Sequence, residues 1–412
     1  MSTIRGAERA AWIVVALLWF VAMLNYLDRQ LIVTMGQPIK ADLDIGDAYF
    51  GLFSTVFLWV YAFCSLFAGF VADRFGRRRA ILLSLTVWSM ATFCTGFAQD
   101  FGTMLLARAV MGISEAFYVP AAVAMIVEYH RGRTRSLATG LHISGMYFGS
   151  ILGGLGGWMA DSFGWRLGFQ LFGAVGVGYA LFLTAMLKNP PPAGDDEPPS
   201  KISDKPEFVK TLRTLLGSQG FRRLLGVSVC VGAGFWTVKN WMPTFFNMEL
   251  GVDLTRAGLY GAAVFNAAAF VGMLIAGILS DRWAARNLRA RTLIPAVGFC
   301  IAAPCLFGVG IMPTVPVVFA SIVILGMAQG SLDTNLMPAV CTVAESQYRA
   351  TGYGLLNCVG TLAGGVMTFV GGWLKDAEIS FAMTFQFTAG FILLAGLLLF
   401  AVKPRFGNIL RP

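Results

Sequence analysis

The sequence predicts an all-α membrane protein of twelve transmembrane helices in two six-helix bundles, with both termini cytoplasmic. Three observations carry that prediction. Apolar residues make up 57% of the 412 positions and charged residues only 13%, against roughly a quarter charged in a soluble domain. The apolar residues fall in runs of about 20, the length that crosses a bilayer as a helix, and raise the mean hydropathy to +0.69. The basic residues gather between those runs, mostly on alternate loops. A soluble enzyme of this length is excluded.

The runs cover 11–34, 49–71, 80–97, 101–127, 136–160, 167–187, 224–248, 257–279, 292–311, 315–340, 351–374 and 381–402. Every backbone polar group in hydrocarbon must be satisfied internally, and unbroken runs without polar alternation select helices over a closed barrel. The first run is too long for the apolar core of a signal peptide and has no small-residue cleavage site, so it is read as the first span. The seven cysteines all lie in apolar runs without a CxxC pair. They read as small buried hydrophobes, and neither a metal site nor a cofactor is expected.

The net charge of +9 is accounted for by position. One face of the predicted topology receives 24 of the 31 basic residues and the other face four, Lys40, Arg166, Arg256 and Lys375. The remaining three, Arg29, Arg108 and Lys239, fall inside spans. The positive-inside rule then places both termini in the cytoplasm of a cell that carries the chain in its plasma or inner membrane. A nucleic-acid partner is not needed to explain the charge, and the partner that is needed is the lipid bilayer.

Segment 188–223 is the one long polar stretch, beginning NPPPAGDDEPPS. Its proline and charge density read as a flexible linker, and Pro206 to Leu216 as an amphipathic surface helix. It separates an N-terminal bundle, 1–187, from a C-terminal bundle, 224–412.

The two halves repeat. Gly69, Asp73 and Arg74 recur as Gly277, Asp281 and Arg282 at a constant offset of 208. Glu115, Pro120 and Glu128 correspond to Asp333, Pro338 and Glu345 at offsets of 218, 218 and 217. GGWxxD closes the fifth run at Gly156 to Asp161 and the eleventh at Gly371 to Asp376, and Arg135 and Arg349 open the same two runs. Parallel repeats of this kind place a substrate site between them near the bilayer midplane.

These residues carry a family likeness over essentially the whole chain. GFVADRFGRRR, Gly69 to Arg79, resembles the signature loop of the major facilitator superfamily, and GILSDRWAAR is its weaker second-half counterpart. Within that superfamily NYLDR at Asn25 to Arg29, RAVMGISEAFYVPA at Arg108 to Ala121 and WMP at Trp241 to Pro243 resemble the anion:cation symporters, importers of sugar acids and other organic anions. The spinster-like lysolipid transporters share much of the pattern and stay an alternative, as does a non-transporting receptor on the same fold. The resemblance implies proton-coupled import of a small organic anion by alternating access, with no catalytic chemistry and a functional monomer.

Six ionisable residues lie inside spans: Asp28, Arg29, Arg108, Glu115, Lys239 and Asp333. A charge at the bilayer centre costs about 2.5 to 3.5 kcal/mol on insertion scales, so each needs a partner or a watery cavity. Arg108 and Glu115 are two turns apart on one face, roughly 10 Å along the axis. Arg29 and Arg108 read as fixed cations for a substrate carboxylate, which arginine can hold in bidentate fashion, or as members of structural ion pairs with Asp28 and Glu115. The resemblance implies the first. Lys239 is either a third cation of the site or a residue snorkelling to an interface, and Tyr26 and Asn25 are polar neighbours of the charged pair.

Asp28 and Glu115 are the proton candidates. Burial and a nearby arginine act oppositely on a carboxylate, so its proton occupancy responds to whether the substrate engages that arginine; the resemblance implies the same role. Asp333 is a secondary coupling candidate. On the basic loops Asp73, Arg74, Arg77, Arg78, Arg135, Asp281 and Arg282 resemble the cytoplasmic latch of the family, in which the loop acid meets a helix N-terminus favoured by its dipole.

Overall fold

A computed structural model describes residues 2–130, 134–189, 208–284, 286–345 and 348–403. Among them are helices and no strands. In chain order they are α1 (Ser2–Thr34), α2 (Gly36–Leu43), α3 (Asp47–Phe75), α4 (Arg77–Thr95), α5 (Phe101–Ala116), α6 (Tyr118–Tyr129), α7 (Arg135–Gly153), α8 (Gly156–Phe163), α9 (Trp165–Met186), α10 (Phe208–Gly217), α11 (Gln219–Met248), α12 (Leu254–Gly258), α13 (Phe265–Ala284), α14 (Ala290–Ile311), α15 (Val315–Val343), α16 (Arg349–Asp376) and α17 (Phe381–Ala401).

Ten helical segments among the described residues are long and apolar enough to cross a membrane. The other two expected spans are helical but more polar or broken. Helix α4 opens on three arginines and carries Ser84, Thr86, Ser89, Thr92 and Thr95. The fifth run is interrupted after Gly153, giving α7 and α8. The fourth run breaks at Phe117, three residues before Pro120, whose ring nitrogen has no proton to give the carbonyl of Ala116. A π-helical turn, Leu259–Val264, separates α12 from α13.

Both halves of the chain use the same packing scheme. In the first, α1 packs along α7, α3 along α5 and α4 along α9; in the second, α11 packs along α16, α13 along α15 and α14 along α17. The sequence repeat is therefore a repeat of helix pairs. The halves meet where α3 lies on α16, and where α7 and α8 lie on α12 and α13. Of segment 188–223, residues 190–207 lie outside the described residues. Helix α10 follows them and buries Thr211 and Leu215, the latter facing Gly352 of α16.

The contact between halves is one-sided. At the end bearing Asp47 and Asp376, the Asp376 carboxylate accepts from the backbone N–H groups of Asp47 and Ala48, both at 2.8 Å. Further along, Thr55 Oγ1 donates to the Gly365 carbonyl at 2.8 Å and Trp59 Nε1 to that of Leu362 at 3.2 Å. Beyond Trp59, α3 exposes Phe63, Leu66 and Phe67. The second seam closes at the same end: Gly157 of α8 abuts the Leu254 carbonyl, Gly154 the Gly258 carbonyl, and Thr255 Oγ1 donates to Asp161 at 3.3 Å.

Candidate functional site

Four of the six charges converge from the first half. Arg29 of α1 pairs through Nε with Glu115 Oε2 of α5 at 2.5 Å, with the Glu115 side chain fully buried. The Arg29 guanidinium lies over three rings, Tyr61 at 4.5 Å, Tyr26 at 4.8 Å and Phe57 at 5.0 Å. Cation–π contact of this kind holds a guanidinium in place without neutralising it. Its Nη2 makes no hydrogen bond, nor does Glu115 Oε1.

Arg108, one helix turn pair away on α5, is 1% exposed. It sits over Phe57 at 4.7 Å, and its polar contacts are the Phe53 carbonyl at 3.4 Å and Met111 Sδ at 3.5 Å. No carboxylate among the described residues lies within 4.0 Å of it. Phe57 thus separates two guanidiniums, one in direct contact with an acid and one that Glu115 and Asp28 reach only through space.

Asp28 turns away from this pair. It accepts from Thr92 Oγ1 of α4 at 3.3 Å, and its Oδ1 is buried without a partner. Neighbours on a helix are about 100° apart, so Arg29 reaches the space between the halves and Asp28 the α1–α4 interface. Asn25 is buried beside Glu115, its side-chain polar atoms out of hydrogen-bonding geometry with any partner.

The second half contributes Lys239 of α11 and Asp333 of α15. Lys239 Nζ is near the rings of Trp236, at 5.4 Å, and Phe265, at 5.7 Å. Asp333 is solvent-accessible; it accepts from Tyr147 of α7 at 2.7 Å and from Gln329 Nε2 at 2.7 Å. The Tyr147 bond joins the two halves. A narrow cleft open to solvent, with a free cavity volume of about 30 Å³, lies between them, lined by Tyr26, Arg29, Gln30, Arg108, Lys239 and Asn240 among others. Arg29, Arg108 and Lys239 share this wall, whereas Asp28, Glu115 and Asp333 stand behind or beside it.

Sequence reasoning passed over Phe57, Thr92 and Gln329. Phe57 and Tyr61 are four apart on α3 and so share a face, a spacing that was available as a signal. Thr92 and Gln329 carry none, because their role depends on helix rotation. Tyr61 and Tyr147 belong to the polar aromatics that the sequence offers equally as cavity lining or as interfacial anchors.

The loop residues expected to form a latch act within their own half where they are described. Arg77 pairs with Glu128 and donates to the Ala124 carbonyl at 3.0 Å. Arg78 donates to the carbonyls of Leu187 and Thr184, both at 2.5 Å, closing the C-terminal end of α9. Asp281 pairs with Arg291 at 2.6 Å, and Arg74 and Arg282 are exposed. The side chains of Asp73 and Arg135 lie outside the described residues, as do Arg131 and Arg133. Cations at helix C-termini complement the dipole there.

The sequence profile of the Major Facilitator Superfamily matches residues 18–309. The probable sulfoacetate transporter of Cupriavidus necator is 24% identical over 402 residues, covering 95% of this chain and 93% of that protein. A probable galactarate/D-glucarate transporter of Escherichia coli is 24% identical over 414 residues, covering 93% and 92%. Among solved structures, the bacterial homolog of the human lysosomal transporter Spinster, inward-facing and unoccupied, superposes with a TM-score of 0.83 at 23% identity over 95% of this chain and 97% of that one. At that identity the superposition establishes the fold alone.

Proposed function

The chain belongs to the major facilitator superfamily, and from that premise we propose that it imports a small organic anion together with protons, by alternating access. It is a transporter and not an enzyme. The observation that carries the cargo class is Arg108: a guanidinium 1% exposed, on the wall of a pocket between the halves, with no carboxylate among the described residues within 4.0 Å. An arginine so placed is costly unless an anion visits it. The relatives named as sulfoacetate and galactarate/D-glucarate transporters support the same class.

In this reading the cargo carboxylate docks on Arg108 and on the unused Nη2 of Arg29. It competes with Glu115 for Arg29, and a Glu115 released from its pair takes up a proton. Asp28, with one carboxylate oxygen unpartnered, is the second proton site, and Asp333 with Tyr147 reports the state to the other half. Twelve spans, two bundles divided by 188–223, cytoplasmic termini and a working monomer complete the scheme. The joined end at Asp47 and Asp376 is then extracellular and the conformation inward-facing, in which the loop residues Asp73, Arg77, Arg135, Asp281 and Arg282 await the opposite state to act as a latch.

Uptake into proteoliposomes with and without an imposed inward proton gradient tests this. Organic acids should accumulate only with the gradient; equal accumulation without it removes the coupling, and no uptake of any acid removes the cargo class.

A further inference from the structure

Resting on the importer reading, we propose that the cargo is doubly charged, with an anionic group at each end, and that Lys239 selects for the second charge. The pocket wall carries three cations, Arg29, Arg108 and Lys239, and no carboxylate. Glu115 answers Arg29. Neither Arg108 nor Lys239 has a carboxylate within 4.0 Å among the described residues. Asp333, the acid whose charge reaches Lys239, is engaged instead by Tyr147 and Gln329.

The two cations without a direct ion pair among the described residues belong to opposite halves of the chain, Arg108 to α5 and Lys239 to α11. A cargo with one carboxylate can satisfy one of them and leaves the other desolvated without a counter-charge as the halves close, which is unfavourable. A cargo charged at both ends satisfies both. It also ties the halves together, so its binding differs between open and closed states, and only such a difference can drive motion. The same wall holds Gln30, whose Nε2 is buried without an acceptor. That donor suits an oxygen on the chain between the two charges.

Galactarate and galactonate share a hydroxylated six-carbon chain and differ at one end, a carboxylate against a hydroxymethyl group. Their affinities for the purified full-length protein, measured by titration calorimetry at neutral pH, form the test, with sulfoacetate and acetate as a second matched pair. The wild type should bind galactarate at least about tenfold more tightly than galactonate, the order expected for one charged pair in a closed site. Lys239→Gln should erase the preference by weakening galactarate while leaving galactonate within about twofold, and Lys239→Arg should retain it. Equal binding of both acids by the wild type overturns the proposal alone, as does a Lys239→Gln variant that weakens both alike. Binding of neither pair to folded wild-type protein overturns the importer reading with it. If Lys239→Gln does not fold, the wild-type ratio and Lys239→Arg still decide.

Discussion

The bond between Asp376 and the start of α3 offers a direct measure of what holds the joined end shut. Asp376 accepts from two backbone N–H groups at 2.8 Å, on residues more than 300 positions away in the chain. They are among the first N–H groups of α3, which have no acceptor inside their own helix, so Asp376 serves as an N-cap supplied by the opposite half. Loss of a capping acceptor costs about 0.5 to 2 kcal/mol, and because Asp376 itself is exposed the charge adds little beyond the hydrogen bonds. Since the cap exists only when this end is closed, Asp376→Ala should raise the open-to-closed ratio about two- to thirtyfold. Asparagine keeps one of the two acceptor oxygens that Asp376 uses and sets an NH2 donor where the other stood, so Asp376→Asn should fall between wild type and Asp376→Ala. Spin labels on Tyr49→Cys and Trp373→Cys, both exposed positions flanking the contact, would report the distance by double electron–electron resonance, with exposed Cys94 replaced by serine. An unchanged distance distribution in a folded Asp376→Ala protein would refute the capping argument, and a shift of equal size in Asp376→Asn would show charge to be responsible instead.

The remaining predictions concern the core of the site and its packing. Arg108→Met should cut uptake to below about one hundredth while leaving thermal stability equal or higher, because an unanswered buried cation is replaced by an apolar chain; a marked fall in melting temperature would show Arg108 to be structural. Glu115→Gln leaves Arg29 without its acid and should destabilise the protein by about 3 to 5 kcal/mol, with uptake no longer responding to a proton gradient; retained stability and coupling would refute the Glu115 role. Gly149→Ala puts a Cβ 1.9 Å from the Met23 carbonyl, which forces α1 and α7 apart at about 1 to 3 kcal/mol. Gly140→Ala on the same helix, with nothing within 4 Å, is the thermal-melt control and should be neutral.

What the sequence reveals here follows the range of the forces involved. Runs such as Val315–Val343 are legible because length and apolarity alone decide that they are helices. The repeat is legible too, since spacing survives where identity does not. The breaks are local events: Phe117 before Pro120, the Gly153–Leu155 turn and the π-turn at Leu259–Val264 need the surrounding packing to say whether a helix bends or stops. Asp333 lies five residues before Pro338 as Glu115 does before Pro120, yet α15 runs on unbroken. Choice of partner is hardest to read. Asp28 and Arg29 are adjacent and of opposite sign, but helix rotation sends them to different neighbours, Thr92 and Glu115. Likewise Asp376 and Asp161 served in the sequence only as marks of the repeat; their contacts with the opposite half required the assembled seam.

The two seams have a consequence for how such a chain could change state. Each joins a GGWxxD helix end of one half to a helix N-terminus of the other: Asp376 of α16 at α3, and Asp161 of α8 near the start of α12. Apolar packing crosses the first seam, where the rings of Phe50 and Trp241 lie 5.9 Å apart; the polar contacts are a handful of hydrogen bonds, each worth about 1 kcal/mol net. Their sum is a few kcal/mol, the scale that a cargo's differential affinity can outweigh: reversing a hundredfold preference takes about 5.5 kcal/mol. The repeat therefore supplies two matched closures at one end, and in the proposed cycle the hydrogen bond from Tyr147 to Asp333 between the halves is a contact through which occupancy of the pocket can bias both.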